Sequence, residues 1–582
     1  MKFNLNNKLL SIILSIFTYV SFIKMDILPS YNILSFIVFI LISILFSKYL
    51  MFEKNFCKSS AVLSLIFSIA TVFGRNFYAY YKDYSVNIWR EIFSLKSLVY
   101  IIGLIPLFYV ILSIAVKKLC AIEINELIYN KKKNLLFAIF SFILMFGVWG
   151  IYLLNFYPGT LSPDSIGEYS MFVNGLNVTR DHNPVLHILF MALFYNIGYG
   201  LFSNANVGVL FVSLAQITVM AAIFTYSLLF LRKRSCPKII VYSLLAFYAF
   251  SPMHGFYAVT MWKDVLFAGF LLLLTIECYK LYENRDILNW KKLISFTTIS
   301  LITVFLRNNA IYAYVIIAIA LAIILRKHYK ILLISFLLVF TTFFVVKGPV
   351  FNHFNISKSP SSEYIGMPLQ QIGRIVAKGE ELTANERKLI DELLPRETMA
   401  SAYNPVVSDG IKFHPNFDIK PFNENKLDYA KMYVNMLFKH FDTSTEAYFI
   451  STLGYWYPNV NYWSVSTITW ENDLGIYVDS KTNSTINQIL LESESRDLPL
   501  FGMQWSIGLC VWLIAILAVT YIKKNKFKGI IPYLPCISVW LTMLIASPVW
   551  GEFRYVYGLF TSLPFLIGLF FIANKKTTKE DN

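Results

Sequence analysis

The chain has 582 residues, 57% of them hydrophobic and 15% charged, with a mean hydropathy of +0.56. A soluble globular domain is excluded, because the apolar residues fall in blocks of roughly 17 to 25, the length a helix needs to cross a bilayer. The formal charge of +16 does not call for nucleic acid, since the basic residues gather in short connections between blocks and serve as topology anchors beside anionic headgroups.

In chain order, spans are predicted near 9–24, 31–50, 59–75, 97–116, 134–155, 206–231, 237–254, 262–281, 291–306, 310–326, 329–347, 503–521, 529–547 and 556–573, about fourteen in all. Lys2 and Lys8 before the first apolar core resemble a signal peptide, but no small-residue cleavage site follows, so the segment reads as an uncleaved anchor. With the N-terminus in the cytoplasm, the clusters at Lys48–Lys58, Lys117–Lys133, Arg232–Lys238, Lys280–Lys292, Arg326–Lys330, Lys523–Lys528 and the tail Lys575–Lys579 all fall on the cytoplasmic side. The same rule requires the apolar stretch 184–201 not to cross, because one more crossing would put Arg232 to Arg234 outside. It is therefore expected as an interfacial or re-entrant helix. Four regions result: an N-terminal four-helix bundle at 1–133, a membrane core at 134–347 with an outer loop at 156–205, an extracellular domain at 348–502, and three last spans with a cytoplasmic tail at 503–582. The expected fold class is an all-α polytopic protein of the cell membrane with both termini cytoplasmic.

Residues 348–502 hold 13 Lys and Arg against 19 Asp and Glu, a net −6 that leaves +22 for the rest. The segment reads as an α-rich domain. Thr383 and Glu386 have capping-box spacing before a helix that stops at Pro395, and 424–441 has helical apolar periodicity. From 448 to 478 it turns aromatic, with Tyr455, Trp456, Tyr457, Tyr462, Trp463 and Trp470. Such rings can stack on sugars, although aromatic belts at membrane surfaces are commoner. The six cysteines, at 57, 120, 236, 278, 510 and 536, avoid this segment and imply no disulfide framework or Cys-rich metal site.

The most informative stretch is Tyr157 to His187, where Asp164, Arg180, Asp181 and His182 stand just beyond an apolar block. Ionisable groups at that depth tend to mark working sites. Lys263 and Asp264 open the eighth span, Arg307 closes the ninth, and Glu552, Arg554 and Tyr555 open the last, so charged groups of both signs converge on the outer face. Each has a plainer reading. Ser162-Pro163-Asp164 has the form of a helix cap with a first-turn proline and acid, Lys263 and Arg554 can snorkel, and His187 and His254 read as hydrogen-bonded rather than catalytic. Together they match one chemical need. A sugar on a polyprenyl phosphate requires cations for the phosphate and a carboxylate that takes a proton or binds a divalent metal.

At these residues the chain resembles the GT-C superfamily of integral-membrane glycosyltransferases, in particular the bacterial branch of aminoarabinose transferases related to protein O-mannosyltransferases. The similar features are Asp164 at the start of the first large outer loop with Glu168 and Tyr169 one turn on, the proline-containing Asn183-Pro184-Val185-Leu186-His187, a span ending in Arg232, and Ser251-Pro252 before Asp264. The departures are Asn183 where relatives often have Lys, Val185 in place of a second proline, four additional N-terminal spans, and an outer domain placed before the last three spans. The chain is also similar to an uncharacterised group of Gram-positive membrane proteins. The resemblance implies a GT-C-like core with Asp164 as catalytic carboxylate, and the convergence on the outer face makes Arg180, Asp181, His182, Lys263, Asp264, Arg307, Arg554 and Tyr555 the candidate substrate-binding groups. It implies a polyprenyl-phosphate-linked sugar as donor and an envelope glycan, lipid or protein as acceptor. No protein metal ligands are assigned, and magnesium or manganese is the candidate cofactor. The alternatives are a transporter or flippase of lipid-linked saccharides, or a non-catalytic membrane protein that binds envelope glycan.

Overall fold

The computed structural model describes residues 5–52, 55–84, 87–125, 131–460, 462–467, 472–477, 479–481, 483–498, 500–547 and 549–573. Lys54, Trp470 and the basic tail expected in the cytoplasm lie outside the described residues. The protein is mainly α-helical. Its only strands among the described residues are Phe156–Tyr157 and Asp479–Ser480, paired antiparallel. It is a multi-pass membrane protein: among the described residues, eleven helices are long and apolar enough to cross a bilayer, or up to twelve if Lys238–Phe250 and Pro252–Ala258, bent by 55°, form one span. The bend follows from Pro252, which lacks an N–H and pushes Ser251 into an extended conformation.

These helices do not coincide one for one with the fourteen blocks. Arg307 is extended and Asn308–Asn309 follow it, which leaves Trp290–Leu306 and Ala310–Ile324 at 17 and 15 residues. The 20-residue helix Leu5–Lys24 is not among the eleven, whereas Val185–Phe202, expected not to cross, is long and apolar enough to be counted.

The chain forms two compact units whose boundaries differ from the four regions read from the sequence. The first comprises residues 1–122, 366–460 and 548–550. Its membrane-length helices meet through small and hydroxyl side chains. Thr18 donates to the Gly103 carbonyl at 2.7 Å, and a Cβ at Gly103 would lie 2.1 Å from Ser21 Oγ, so close approach requires glycine there. Residues 366–460 belong to this unit through a buried ion network. Glu446 is 1% exposed and accepts from Tyr80 on helix Lys58–Lys82, from Arg374 on Gly366–Ala377, and from Lys378, at 2.7 to 3.0 Å. A buried carboxylate is tolerable only when its oxygens are satisfied in this way. The capping box forms as read, with Thr383 and Glu386 bonded reciprocally at 2.7 and 3.2 Å, and the helix ends at Leu393.

Among the described residues, the first rings of the aromatic stretch are buried rather than exposed. Tyr455 is fully buried and Tyr457 packs so closely that a Cβ on Gly74 would fall 2.3 Å from its ring. These rings serve as core, whereas Trp463 and Tyr477, both in the second unit, stay exposed among those described. The segment 348–502 is therefore divided, with 461–502 and the residues up to 365 in the second unit.

That second unit, residues 123–365, 461–547 and 551–582, has two chemically distinct ends. At one, Arg232 Nε donates to Asn134 at 2.6 Å, Arg234 forks onto Glu283 at 2.7 and 3.1 Å, His328 contacts the Arg285 carbonyl at 3.0 Å, and the Ala573 amide reaches the Arg234 carbonyl at 2.9 Å. Basic clusters from four connections thus gather together. At the opposite end lie Asp164, Asp181, Lys263, Arg307, Lys347 and Arg554. Both ends of Val185–Phe202 are held at this second end: Asn183, two residues before it, bonds to Lys263, and Asn206, just after it, accepts from the Tyr477 amide at 3.1 Å beside the strand paired with Phe156–Tyr157. The helix packs on Leu161, Tyr169, Met171, Phe172 and Met261.

Candidate functional site

The loop that carries Asp164 is fixed backbone first. Ser213 donates to the Pro158 carbonyl at 2.5 Å, and Gly159, at φ +142°, turns where a Cβ would meet Ser213 Oγ at 2.5 Å. Thr160 then runs beside Thr260, with amide bonds to Val259 and from Met261 of 3.0 Å and a hydroxyl pair at 2.8 Å. Ser162 caps helix Pro163–Tyr169 in a reciprocal box with Ser165, whose hydroxyl also donates to the Met261 carbonyl. The register brings Asp164 against Lys263. One turn on, Glu168 meets His187 Nδ1 at 2.5 Å, both side chains 1% exposed, so His187 is hydrogen-bonded as its plainer reading held. His254 likewise contacts the Tyr557 hydroxyl at 2.8 Å inside an aromatic core.

Asp164 Oδ2 accepts from Arg554 Nη1 at 2.9 Å and forms an ion pair with Lys263 Nζ at 3.7 Å. The Lys263 ammonium also bonds Asn183 Oδ1, and Asn183 Nδ2 donates to the Asp164 carbonyl at 3.3 Å. The charge of Lys263, followed by that of Arg554 and its hydrogen bond, holds the carboxyl well below the usual carboxylate range, although burial pushes the other way. Arg554 also lies 3.3 Å from Glu552 and over the rings of Trp262 and Tyr555 at 5.4 and 5.2 Å.

A second pair lies beside the first. Asp264 is fully buried with Arg307 Nε at 3.5 Å, and Arg307 Nη1 donates to the Tyr555 carbonyl at 2.6 Å while its guanidinium covers the Tyr555 ring at 4.8 Å. Tyr555 is thus in contact with both guanidinium groups. Asp181 forms a third pair with Lys347, whose ammonium also bonds Asn308 at 2.8 Å. Asn308 and Ser359 both donate to the Asp181 carbonyl at 2.6 Å. Burial pushes the Asp181 carboxyl above its ordinary value, with the Lys347 charge opposing.

Of the residues singled out in the sequence, Asp164, Asp181, Lys263, Asp264, Arg307, Arg554 and Tyr555 come together, and His182 is half-buried beside them. Arg180 does not join. It is exposed, its backbone bridges Ser357, and it has no ion pair among the described residues. Lys347 was missed because it ends an apolar block and read as a span boundary; its position at the end away from the basic clusters was the available signal. A divalent metal does not fit this donor set. Asp164 is engaged by two cations, and among the described residues no group of three or more His, Cys, Asp or Glu is placed to hold one. Cations alternating with carboxylates suit an anion that can displace the internal partners.

Fold and site together define a multi-pass α-helical membrane protein with a charged cluster at one end of a helix bundle. Residues 173–582 match DUF6020, a family of unknown function, and the chain belongs to that family. The matched stretch includes Asp181, Lys263, Asp264, Arg307, Lys347 and Arg554, while Asp164 precedes it. Comparison with curated proteins and with solved structures found no match.

Proposed function

We propose that the protein is a GT-C-type glycosyltransferase with fourteen crossings, which moves a sugar from a polyprenyl phosphate to a cell-envelope acceptor at the extracytoplasmic face. The termini are then cytoplasmic and Val185–Phe202 lies on the outer side. The observation that carries this reading is the contact of Arg554 and Lys263 with Asp164, at the end of the bundle opposite the basic clusters.

The two cations take the donor phosphate, and Arg307 adds charge beside them. An acceptor hydroxyl attacks the anomeric carbon as the bond from that carbon to the phosphate oxygen breaks. The electron pair leaves on the polyprenyl phosphate and the hydroxyl proton passes to Asp164. A carboxylate held by two cations is a weak base. Donor phosphate that draws Arg554 and Lys263 toward itself relieves that restraint, so Asp164 gains basicity when the donor is in place. The test is transfer of labelled sugar by the purified protein from a synthetic polyprenyl-phosphate donor to envelope extract. Donor-dependent product supports the reading, and no transfer with any donor sugar offered removes it.

A further inference from the structure

Within the first unit, a groove of about 540 Å³ opens between the last turn of helix Leu5–Lys24 and the first turn of Leu95–Cys120. Val20, Leu95 and Val99 form its apolar wall, and Lys24 and Lys96 stand at its rim. The Tyr100 hydroxyl donates to the Lys24 carbonyl at 3.2 Å, which fixes both lysines at one level. Neither ammonium has a carboxylate partner among the described residues, whereas nearby Arg75 is taken by Asp26 at 2.9 Å. The flanking surface is apolar and open, with Ile16, Phe17, Phe93 and Leu98 exposed, as on helices that face lipid. Two unpaired cations above an apolar trough, at the ends of membrane-length helices, match one ligand chemistry: an anionic headgroup with acyl chains beneath it.

We propose that this groove binds one anionic glycerophospholipid, its phosphate between Lys24 and Lys96 and the upper part of its chains along Val20, Leu95 and Val99. The site is separate from the charged cluster of the second unit and does not depend on the transferase reading. Native mass spectrometry of the full chain in detergent tests it, with phosphatidylglycerol and phosphatidylcholine of identical chains as probes. Wild type should retain one phosphatidylglycerol in preference to phosphatidylcholine. Lys24→Gln with Lys96→Gln should weaken that retention roughly ten- to thirtyfold, as expected for two near-surface cations. Val99→Phe, which fills the trough and keeps both charges, should weaken it as well. Equal retention of the two lipids, unchanged retention in the double variant, or equal competition by chain-free glycerol phosphate would overturn the proposal.

Discussion

Replacing Lys347 by Met removes the ammonium that faces Asp181 and leaves a carboxyl 5% exposed beside Asn308 and Ser359. Burial already holds the Asp181 carboxyl above its ordinary value of 3.8. The native state therefore binds that proton more tightly than the unfolded chain, and the resulting stability is fully present below the unfolded pKa and lost as pH rises through the folded one. Without Lys347 to oppose burial, the folded pKa climbs further and the loss extends to higher pH. Lys347→Met should then cost about 1 kcal/mol at about pH 4, from the lost bond to Asn308. Near pH 8 the cost should rise toward the ~3 kcal/mol of breaking a buried pair, limited to about 1.4 kcal/mol per unit of additional pKa shift. Equilibrium unfolding in mixed micelles, followed by tryptophan fluorescence at both pH values, measures this. A cost that is equal at the two pH values, or larger in acid, would refute the assignment of Asp181 as the charged partner.

Arg307→Ala and Arg554→Ala should each weaken binding of a polyprenyl phosphate, with Lys at either position restoring only part because a point charge cannot reproduce the planar fork; unchanged affinity in both Ala variants removes them from the site. Cysteines placed at 164 and between 400 and 420 should react with an impermeant thiol reagent from outside intact cells. Because native Cys236 is buried, the cytoplasmic probe should be Lys233→Cys at an exposed position, and its labelling in intact cells would invert the proposed orientation.

Hydropathy located the membrane helices because a bilayer-length apolar block is a local property, and the caps at Ser162 and Thr383 were legible because their partners lie three residues away. Long-range pairing was not. Nothing local in Glu446 announces that Tyr80, some 366 positions distant, will share its buried network, so the division into units differed from the regions drawn along the chain. The aromatic run left its rings unplaced for a related reason: composition makes rings available, while packing such as that of Tyr457 against Gly74 decides which of them face solvent. Most of the charged cluster could be read from topology, which places residues on one end. The particular pairings, Asp164 with Arg554, Asp264 with Arg307 and Asp181 with Lys347, depend on side-chain geometry.

Asp164→Asn in the sugar-transfer assay decides most directly whether this cluster does chemistry. The substitution keeps size and the first-turn position while removing the charge that holds Lys263 and Arg554. Transfer should fall by at least the ~100-fold typical of a lost acid–base group, with a stability cost of about 1 to 3 kcal/mol because Lys263 and Arg554 lose their carboxylate partner. Near-normal transfer by the Asn variant would contradict the catalytic role of Asp164.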